Sequence, residues 1–522
     1  MSVTSRSYPH LYKDSVSLMT VSAELTAVPG VRTASVVMAS ATNVENLAEA
    51  GLGTFDVRPN DLVVAVAGAD DACEAALTLA DELLQDSGAG GAQESGAGPT
   101  QPLTSIAMAV AQDPARDFAL VSVPGDYAAA EAMKALRLGL DVMVFSDNVS
   151  VADEVELKTY ARDRNLMVMG PDCGTAIVNG VPLGFANVVR RGPIGVVGAS
   201  GTGTQEVTVR IHQLGSGVSQ ALGTGGHDLS DAVGGISMLH GLHALAEDPA
   251  TEVVVLVSKP PSAAVAETVL AAAEKVETPV VVIFLGAEPA TVTRPGVYGA
   301  RYLAEAADMA VALARGEQPA PAPVTLTNET SRRLGELARS MRPEQQHVRG
   351  IFSGGTFCYE AQLVHATGGF RAFSNAPTGG NATLPELARS QGDTIIDMGD
   401  DEFTQGRPHP MIDPSQRDAR IAAEAADPAT AVVLFDVVLG YGSSPTPVAG
   451  LTGIVASARA AARAQGRTVA FIGYVCGTDG DPQDRAGTIA ALQRAGVLVA
   501  TSNAEAATWS SEILRRRNGG SS

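Results

Sequence analysis

The chain has 522 residues, 45% hydrophobic and 18% charged, so it can bury a sizeable core, and about three domains are expected. With 36 Lys and Arg against 57 Asp and Glu the net charge is −21, which argues against a sequence-independent grip on nucleic acid or on an anionic membrane. Cys73, Cys173, Cys358 and Cys476 form no CxxC or zinc spacing, no uncharged apolar stretch reaches the ~18–20 residues of a membrane span, and no secretory signal opens the chain, so a reduced cytoplasmic protein is expected.

In chain order, residues 15–25 are apolar at mixed spacing, VRTASVVMA alternates like a strand, DLVVAVAG is a short buried-strand run and DACEAALTLADELL has helical periodicity. Together they predict a small ferredoxin-like or ACT-like α+β module over 1–85. Residues 86–104, DSGAGGAQESGAGPTQPLT, carry almost no bulky apolar side chain and read as a flexible linker. From residue 105 strand and helix alternate: FALVSVPG, a helix ending at Gly139, DVMVFSD, a helix over VADEVELKTYARDRN, LMVMG, PIGVVGAS, a helix from about Thr204, EVVVLVSKP and PVVVIFLG. β-branched runs separated by helices predict parallel sheets covered on both faces. A Pro-rich spacer and helix follow over 315–345, then the same grammar returns in VRGIFSGG, AVVLFDVVLG, RTVAFIGYV and GVLVATS, before a loose Gly/Ser tail.

The two alternating stretches repeat each other. IGVVGASGTGTQE (194–206) parallels RGIFSGGTFCYE (349–360), EDPATEVVVL (247–256) parallels ADPATAVVLF (426–435), and PVVVIFLG parallels RTVAFIGYVCG in the same order. Three ordered landmarks predict a gene duplication, with two doubly wound lobes facing each other and a ligand site between them.

The motifs follow the duplication. Ser200, Gly201 and Thr202 leave a buried strand and open a helix, and Ser353, Gly354, Gly355 and Thr356 are their counterpart. Small residues there leave N–H groups and hydroxyls outward, and the helix dipole favours an anion, phosphate above all. The bland alternative is a tight turn with a Ser or Thr cap. Neither loop is a Walker A loop or a GxGxxG fingerprint. Gly225, Gly226, His227 and Asp228 close the next strand, where His227 would bind phosphate or move a proton, or simply fill a turn. Gly399, Asp400, Asp401 and Glu402 stand in the equivalent place, followed by Arg407 and His409 as candidate anion-binding and proton-transfer groups. The three carboxylates read as magnesium ligands or a solvated loop, and no metal site is assigned. Cys173, in GPDCGT, reads as a small residue in a substrate-lining loop or a nucleophile. Lys259 ends its strand, where it meets a substrate carboxylate or solvent, and Gly440 and Gly442 offer a further anion nest.

GPDCGT, IGVVGASGTGTQE, GTGGHD and EDPATEVVVL in order resemble the α-chain of succinyl-CoA ligase, and the last segment is similar to the carboxyl-terminal ligase domain of its β-chain, so that the likeness spans roughly 105–510. With the amino-terminal module and GDDEFTQGRPHPMID included, the chain resembles the FdrA family, acyl-CoA synthetase-like members of that superfamily. The resemblance implies a Rossmann-like CoA-binding-type domain over 105–190, an α-like flavodoxin-type lobe over 191–314 and a β-carboxyl-terminal-like lobe over 346–510. It places phosphate on Ser200, Gly201 and Thr202, and on the facing turn at Gly440 and Gly442, and matches Gly225, Gly226 and Asp228 to a GGD turn. The family's phosphorylated His is missing from the stretch after PVVVIFLG, and the ATP-grasp domain is missing between the segments. The implied activity is therefore phosphate-centred acyl or carbamoyl transfer without a phosphohistidine. As a subunit of an oxamate carbamoyltransferase in allantoin catabolism, the chain would convert oxalurate and phosphate to oxamate and carbamoyl phosphate. The alternative is an acyl-CoA synthetase-like enzyme using CoA with a partner subunit. Either way the expected partners are a small-molecule substrate and further subunits of an oligomer, with CoA as a possible ligand and no assigned cofactor.

Overall fold

The structure, a computed structural model, describes residues 2–9, 11–58, 61–86, 103–321, 323–404 and 407–519. Residues 87–102 of the expected linker and the last three residues of the tail lie outside these. The chain forms two compact units, Met1–Asp172 with Asp401–Asp413, and Cys173–Asp400 with Pro414–Ser522.

The first unit opens with β1 (Ser2–Tyr8), α1 (Ser15–Thr26), β2 (Val31–Met38), α2 (Ala41–Glu49), β3 (Leu62–Gly68) and α3 (Asp70–Asp86). Strand β3 lies between β1 and β2 and runs antiparallel to both, a split β-α-β arrangement. Its apolar run is buried at all seven positions because both faces are covered. Leu18, Val21 and Leu25 of α1 meet Cys73, Ala76 and Ala80 of α3 on one face, and Leu47 and Leu52 cover Val63 and Ala65 on the other. The mixed apolar spacing of residues 15–25 is thus a helix that buries positions i, i+3 and i+7. The same unit continues with α4 (Ile106–Gln112), β4 (Phe118–Val121), α5 (Gly125–Arg137), β5 (Asp141–Val144), α6 (Val151–Arg162) and β6 (Val168–Met169), a three-stranded parallel sheet in the order β4-β5-β6.

The second unit contains two seven-stranded sheets. The first lobe comprises β7 (Thr175–Val178), β8 (Val181–Gly184), β9 (Arg191–Ala199), α7 (Gly201–Gln213), β10 (Val218–Gly223), α8 (Ile236–Glu247), β11 (Val253–Ser258), α9 (Ala263–Ala273), β12 (Val280–Phe284), α10 (Pro289–Val292), β13 (Val297–Gly299) and α11 (Leu303–Ala314). After α12 (Asn328–Ser340), the second lobe runs through β14 (His347–Phe352), α13 (Gly355–Thr367), β15 (Ala372–Ser374), β16 (Ala382–Thr383) and β17 (Asp393–Asp397). The chain then leaves the unit for residues 401–413, which hold α14 (Asp401–Thr404). It returns with α15 (Ser415–Ala426), β18 (Thr430–Val438), α16 (Ala449–Ala464), β19 (Ala470–Cys476), α17 (Arg485–Ala495), β20 (Leu498–Ala500) and α18 (Asn503–Arg517).

The cores of both lobes are parallel and share one order, β10-β9-β11-β12-β13 and β17-β14-β18-β19-β20. In each the first strand is internal, the second lies on one side and the rest on the other, the doubly wound flavodoxin-like topology. The hairpin β7-β8 extends the first sheet beyond β10, and β15 and β16 extend the second beyond β17. Each landmark pair that the sequence repeats falls on equivalent elements: β9-α7 with β14-α13, β11 with β18, and β12 with β19. Strands such as β11 and β18 are buried at every position, as their unbroken apolar runs require.

Candidate functional site

The turns after β9 and β14 sit at the carboxyl ends of central strands, and each opens a helix of 13 residues. Helix α7 begins at Gly201, three residues before its expected start, because the Ser200 side chain accepts the Gly203 N–H and caps it. The two turns meet: Ser200 Oγ lies 2.6 Å from Thr356 Oγ1. Thr202 reaches across the seam to Gly354, where a Cβ would stand 2.8 Å from its methyl group and 3.0 Å from its hydroxyl, so only glycine allows this approach. A Cβ on Gly355 would collide with Asp397 Oδ2 and stand 3.6 Å from Lys259 Nζ. Lys259, exposed at the end of β11 in the first lobe, and Asp397, buried at the end of β17 in the second, therefore converge on the start of α13.

Burial pushes the Asp397 carboxyl up to about 6, against the opposing pull of Lys259 and of its hydrogen bond from the Gly399 N–H. A carboxyl tuned to that range, beside a cation and two helix N-termini, is suited to holding and releasing a proton near neutral pH. The N–H groups of Gly201 and Thr202 in α7, and of Gly355, Thr356 and Phe357 in α13, make no hydrogen bond among the described residues, as expected for first-turn donors. They and the hydroxyls of Ser200, Thr202 and Thr356 form a donor-rich seam.

Several expected residues are committed elsewhere. The N–H groups of Ser353 and Gly354 donate to the buried Asp436 carboxyl at 2.7 and 2.8 Å, which corrects their assignment as phosphate donors: an internal acceptor already occupies them. The N–H of Gly440 donates to Gln483, that of Tyr441 to the Ala186 carbonyl, and the ring of Phe185 crowds Gly442, so this turn joins chain segments rather than forming an open nest. Asp228 is fully buried and accepts the Ser237 and Met238 N–H groups, capping α8 instead of facing a substrate. Cys173 is buried with its Sγ against the Thr175 carbonyl and the backbone of Gly223. His227 and Gly226 are exposed after β10. Arg407 and His409 belong to the other unit, because the chain crosses over at Asp401, and the same crossing divides the Asp400–Glu402 carboxylates. There Arg407 lines a cavity of about 210 Å³ with Ser40, Asn43, Asp126, Asp147 and Asp401. His409 Nδ1 accepts the Met411 N–H, and burial pushes the imidazole down to about 4.

Sequence reasoning missed Asp397, which ends a strand the sequence reading did not identify, and the buried carboxylates Glu206 and Glu360. Glu206 accepts the Asn503 N–H that opens α18 of the other lobe, and Glu360 accepts the Leu303 N–H that opens α11 of the other lobe. The Asn503 amide also donates to Glu360. Both glutamates were visible as the shared Glu of the repeated motif, but their crossed bonds were not.

Residues 351–513 match a CoA-ligase family model, 189–286 a CoA binding domain, and 1–101 the heavy metal-associated domain of AllF. The chain is 41% identical over 512 residues to the uncharacterized protein YahF of Escherichia coli, covering 97% of each chain. It is 30% identical over 180 residues to the α subunit of ADP-forming succinate–CoA ligase from Staphylococcus epidermidis, 33% of this chain and 57% of that one. Among solved structures PH0766 of Pyrococcus horikoshii aligns with 82% of this chain and 89% of its own at 14% identity, with a TM-score of 0.34. The AllF-like module does not suit a soft metal ion. Its single cysteine, Cys73, is buried against the Val66 carbonyl, and no cluster of three His, Cys, Asp or Glu stands among the described residues. The matches to CoA-binding and CoA-ligase models point to CoA as a ligand of the fold; the cavity lined by Arg407 also presents Asp126, Asp147 and Asp401, an acidic lining that does not suit a polyphosphate.

Proposed function

Because this chain belongs to the FdrA family, acyl-CoA synthetase-like members of the succinyl-CoA ligase superfamily, we propose that it transfers a carbamoyl group to and from phosphate at the seam of its two lobes. The reading is that of an oxamate carbamoyltransferase subunit in purine-nitrogen catabolism. It rests chiefly on the approach of Ser200 to Thr356, which unites two helix N-termini beside Lys259 and Asp397.

Phosphate binds against the open N–H groups of Gly201, Thr202, Gly355 and Thr356, where two helix dipoles and Lys259 offset its charge. Its oxygen attacks the ureido carbon of oxalurate, and the developing oxyanion is held by the same donors. The C–N bond then breaks, its electron pair passing to nitrogen. Asp397 takes the proton from the phosphate hydroxyl and returns it to the leaving nitrogen, giving oxamate and carbamoyl phosphate with no net proton change. Lys259 is free to pair with the oxalurate carboxylate as the ternary complex forms. Exposed His227 is the second candidate for proton transfer, while Arg407 and His409 are not needed for this step. A second reading, thioester chemistry with CoA, is favoured by the CoA binding domain match over 189–286.

The test is to incubate the protein, with and without candidate partner subunits, with carbamoyl phosphate and oxamate and to assay oxalurate. We expect oxalurate to form, and Lys259→Ala and Thr356→Val to lower the rate about a hundredfold while the fold is kept. ATP- and CoA-dependent formation of an acyl-CoA, without oxalurate in any combination of subunits, would overturn the proposal in favour of the second reading.

A further inference from the structure

A second concave region lies at the amino ends of β19 and β20, the sheet edge opposite to the α13 turn. It comprises two cavities of about 350 and 390 Å³ that share Arg333 and Leu498. The first is mainly apolar, walled by Leu334, Val497, Val499 and Trp509, with Glu329 at its margin. Trp509 is 8% exposed, and its indole Nε1 is buried without an acceptor. Such a donor is costly to bury unpaired, by about 1–3 kcal/mol.

The second cavity gathers Arg333, Arg459, Arg463 and Arg467. Arg467 is spent on Gln465 and the carbonyls of Ala426 and Asp427. Arg459 gives one bond to the Ala495 carbonyl. Arg333 and Arg463 are exposed and have no carboxylate partner among the described residues, while nearby Glu336 is paired with Arg332. Burial, followed by the charges of Arg463 and Arg333, depresses the Arg459 guanidinium. In a chain of net charge −21, cations held close enough to repel one another are poorly explained by solubility or by internal pairing. Each arginine presents a planar fork suited to phosphate oxygens, and both cavity volumes fall in the range of small-molecule sites.

We propose that the two cavities form one site for a nucleoside phosphate, its phosphate oxygens on Arg333, Arg459 and Arg463 and its base against Leu498, Val499 and Trp509. The site is independent of the carbamoyl-transfer reading and lies at the other edge of the sheet, so its ligand would act as an effector rather than as a reactant at the seam.

Trp509 is the only tryptophan in the chain, so its fluorescence reports on this site alone. Titration of the full-length protein with ADP is expected to change the emission saturably and to raise the melting temperature. Arg333→Ala and Arg463→Ala, both at exposed positions, are expected to weaken ADP at least about tenfold, and added salt to weaken it further. Inorganic phosphate is expected to bind much more weakly than ADP, and equal affinity for the two would overturn a nucleoside ligand. No saturable emission change and no melting shift with ADP, or wild-type affinity in both arginine variants, would overturn the site itself.

Discussion

Asp397 combines two properties that oppose each other. It is 7% exposed at the end of β17, and burial holds its carboxyl at about 6 rather than at the ordinary 3.8. The folded chain therefore binds more protons than the unfolded chain between these values, and stability falls as pH rises through the interval. The gap corresponds to about 3 kcal/mol at most. Asp397→Asn keeps an oxygen for the Gly399 N–H and removes the charge. It is expected to raise the melting temperature at pH 7.5 but not at pH 4, and to abolish carbamoyl transfer. Equal stability of variant and wild type at both pH values would show that burial does not raise the carboxyl's pKa. Asp228 shows the opposite economy, since both its oxygens are used on the start of α8. Asp228→Ala strands two buried donors and is expected to cost about 2–3 kcal/mol in denaturant unfolding. Of the residues now in the seam, Ser200, Thr202 and Thr356 could be picked from sequence because they stand in a repeated strand-to-helix turn, and Lys259 because it ends its strand. Asp397 could not, because DTIID is short and its partner strands lie distant in sequence.

Helices α7 and α13 carry the duplication into three dimensions. Each presents a Glu one to two turns in, and each Glu caps the closing helix of the opposite lobe. This crossed capping holds the two amino termini face to face. Two carboxyls so placed cannot both ionise easily: burial pushes Glu360 up to about 7, and burial with the charge of Glu360 pushes Glu206 well above the ordinary range. Raised acid pKa values mean that stability is lost as pH climbs from about 4.5 through 7. Glu206→Gln retains an acceptor for the Asn503 N–H without the charge. Its unfolding free energy is expected to change less between pH 6 and 8 than that of the wild type, as followed by urea titration. A curve as steep as the wild type's would show that the pair carries no shared proton. The repeated Glu was legible in sequence, whereas the exchange of caps between lobes was not, because an N–H contributed by a helix about 300 or 60 residues away leaves no local pattern.

On the scale of the whole chain, the second unit is a pair of like sheets fastened by polar side chains as well as by the helices. Asp481 accepts the Asn187 amide, the Val188 N–H and the Thr478 N–H, while Thr478 donates to the Val188 carbonyl. Asp481→Ala leaves several buried donors unpaired at once. It is expected to cost about 3 kcal/mol or more and to make the 185–190 segment sensitive to limited proteolysis. An unchanged denaturation midpoint would show that this fastening is dispensable. No helix among the described residues is long and apolar enough to cross a membrane.

Sequence by itself determined the alternation of strand and helix, the duplication and the small-residue turns, because these rest on local periodicity and on residues whose backbone preferences act at short range. Only tertiary structure decided which amides stay open. Asp436, Gln483 and Ala186 come from distant parts of the chain to satisfy the Ser353, Gly354, Gly440 and Tyr441 N–H groups, and Lys259 and Asp397 come from opposite lobes to the remaining donors. A hydrogen bond depends on angstroms between atoms that the chain separates by up to hundreds of residues. The same motif can therefore be an open anion site or a closed joint, and folding selects between them.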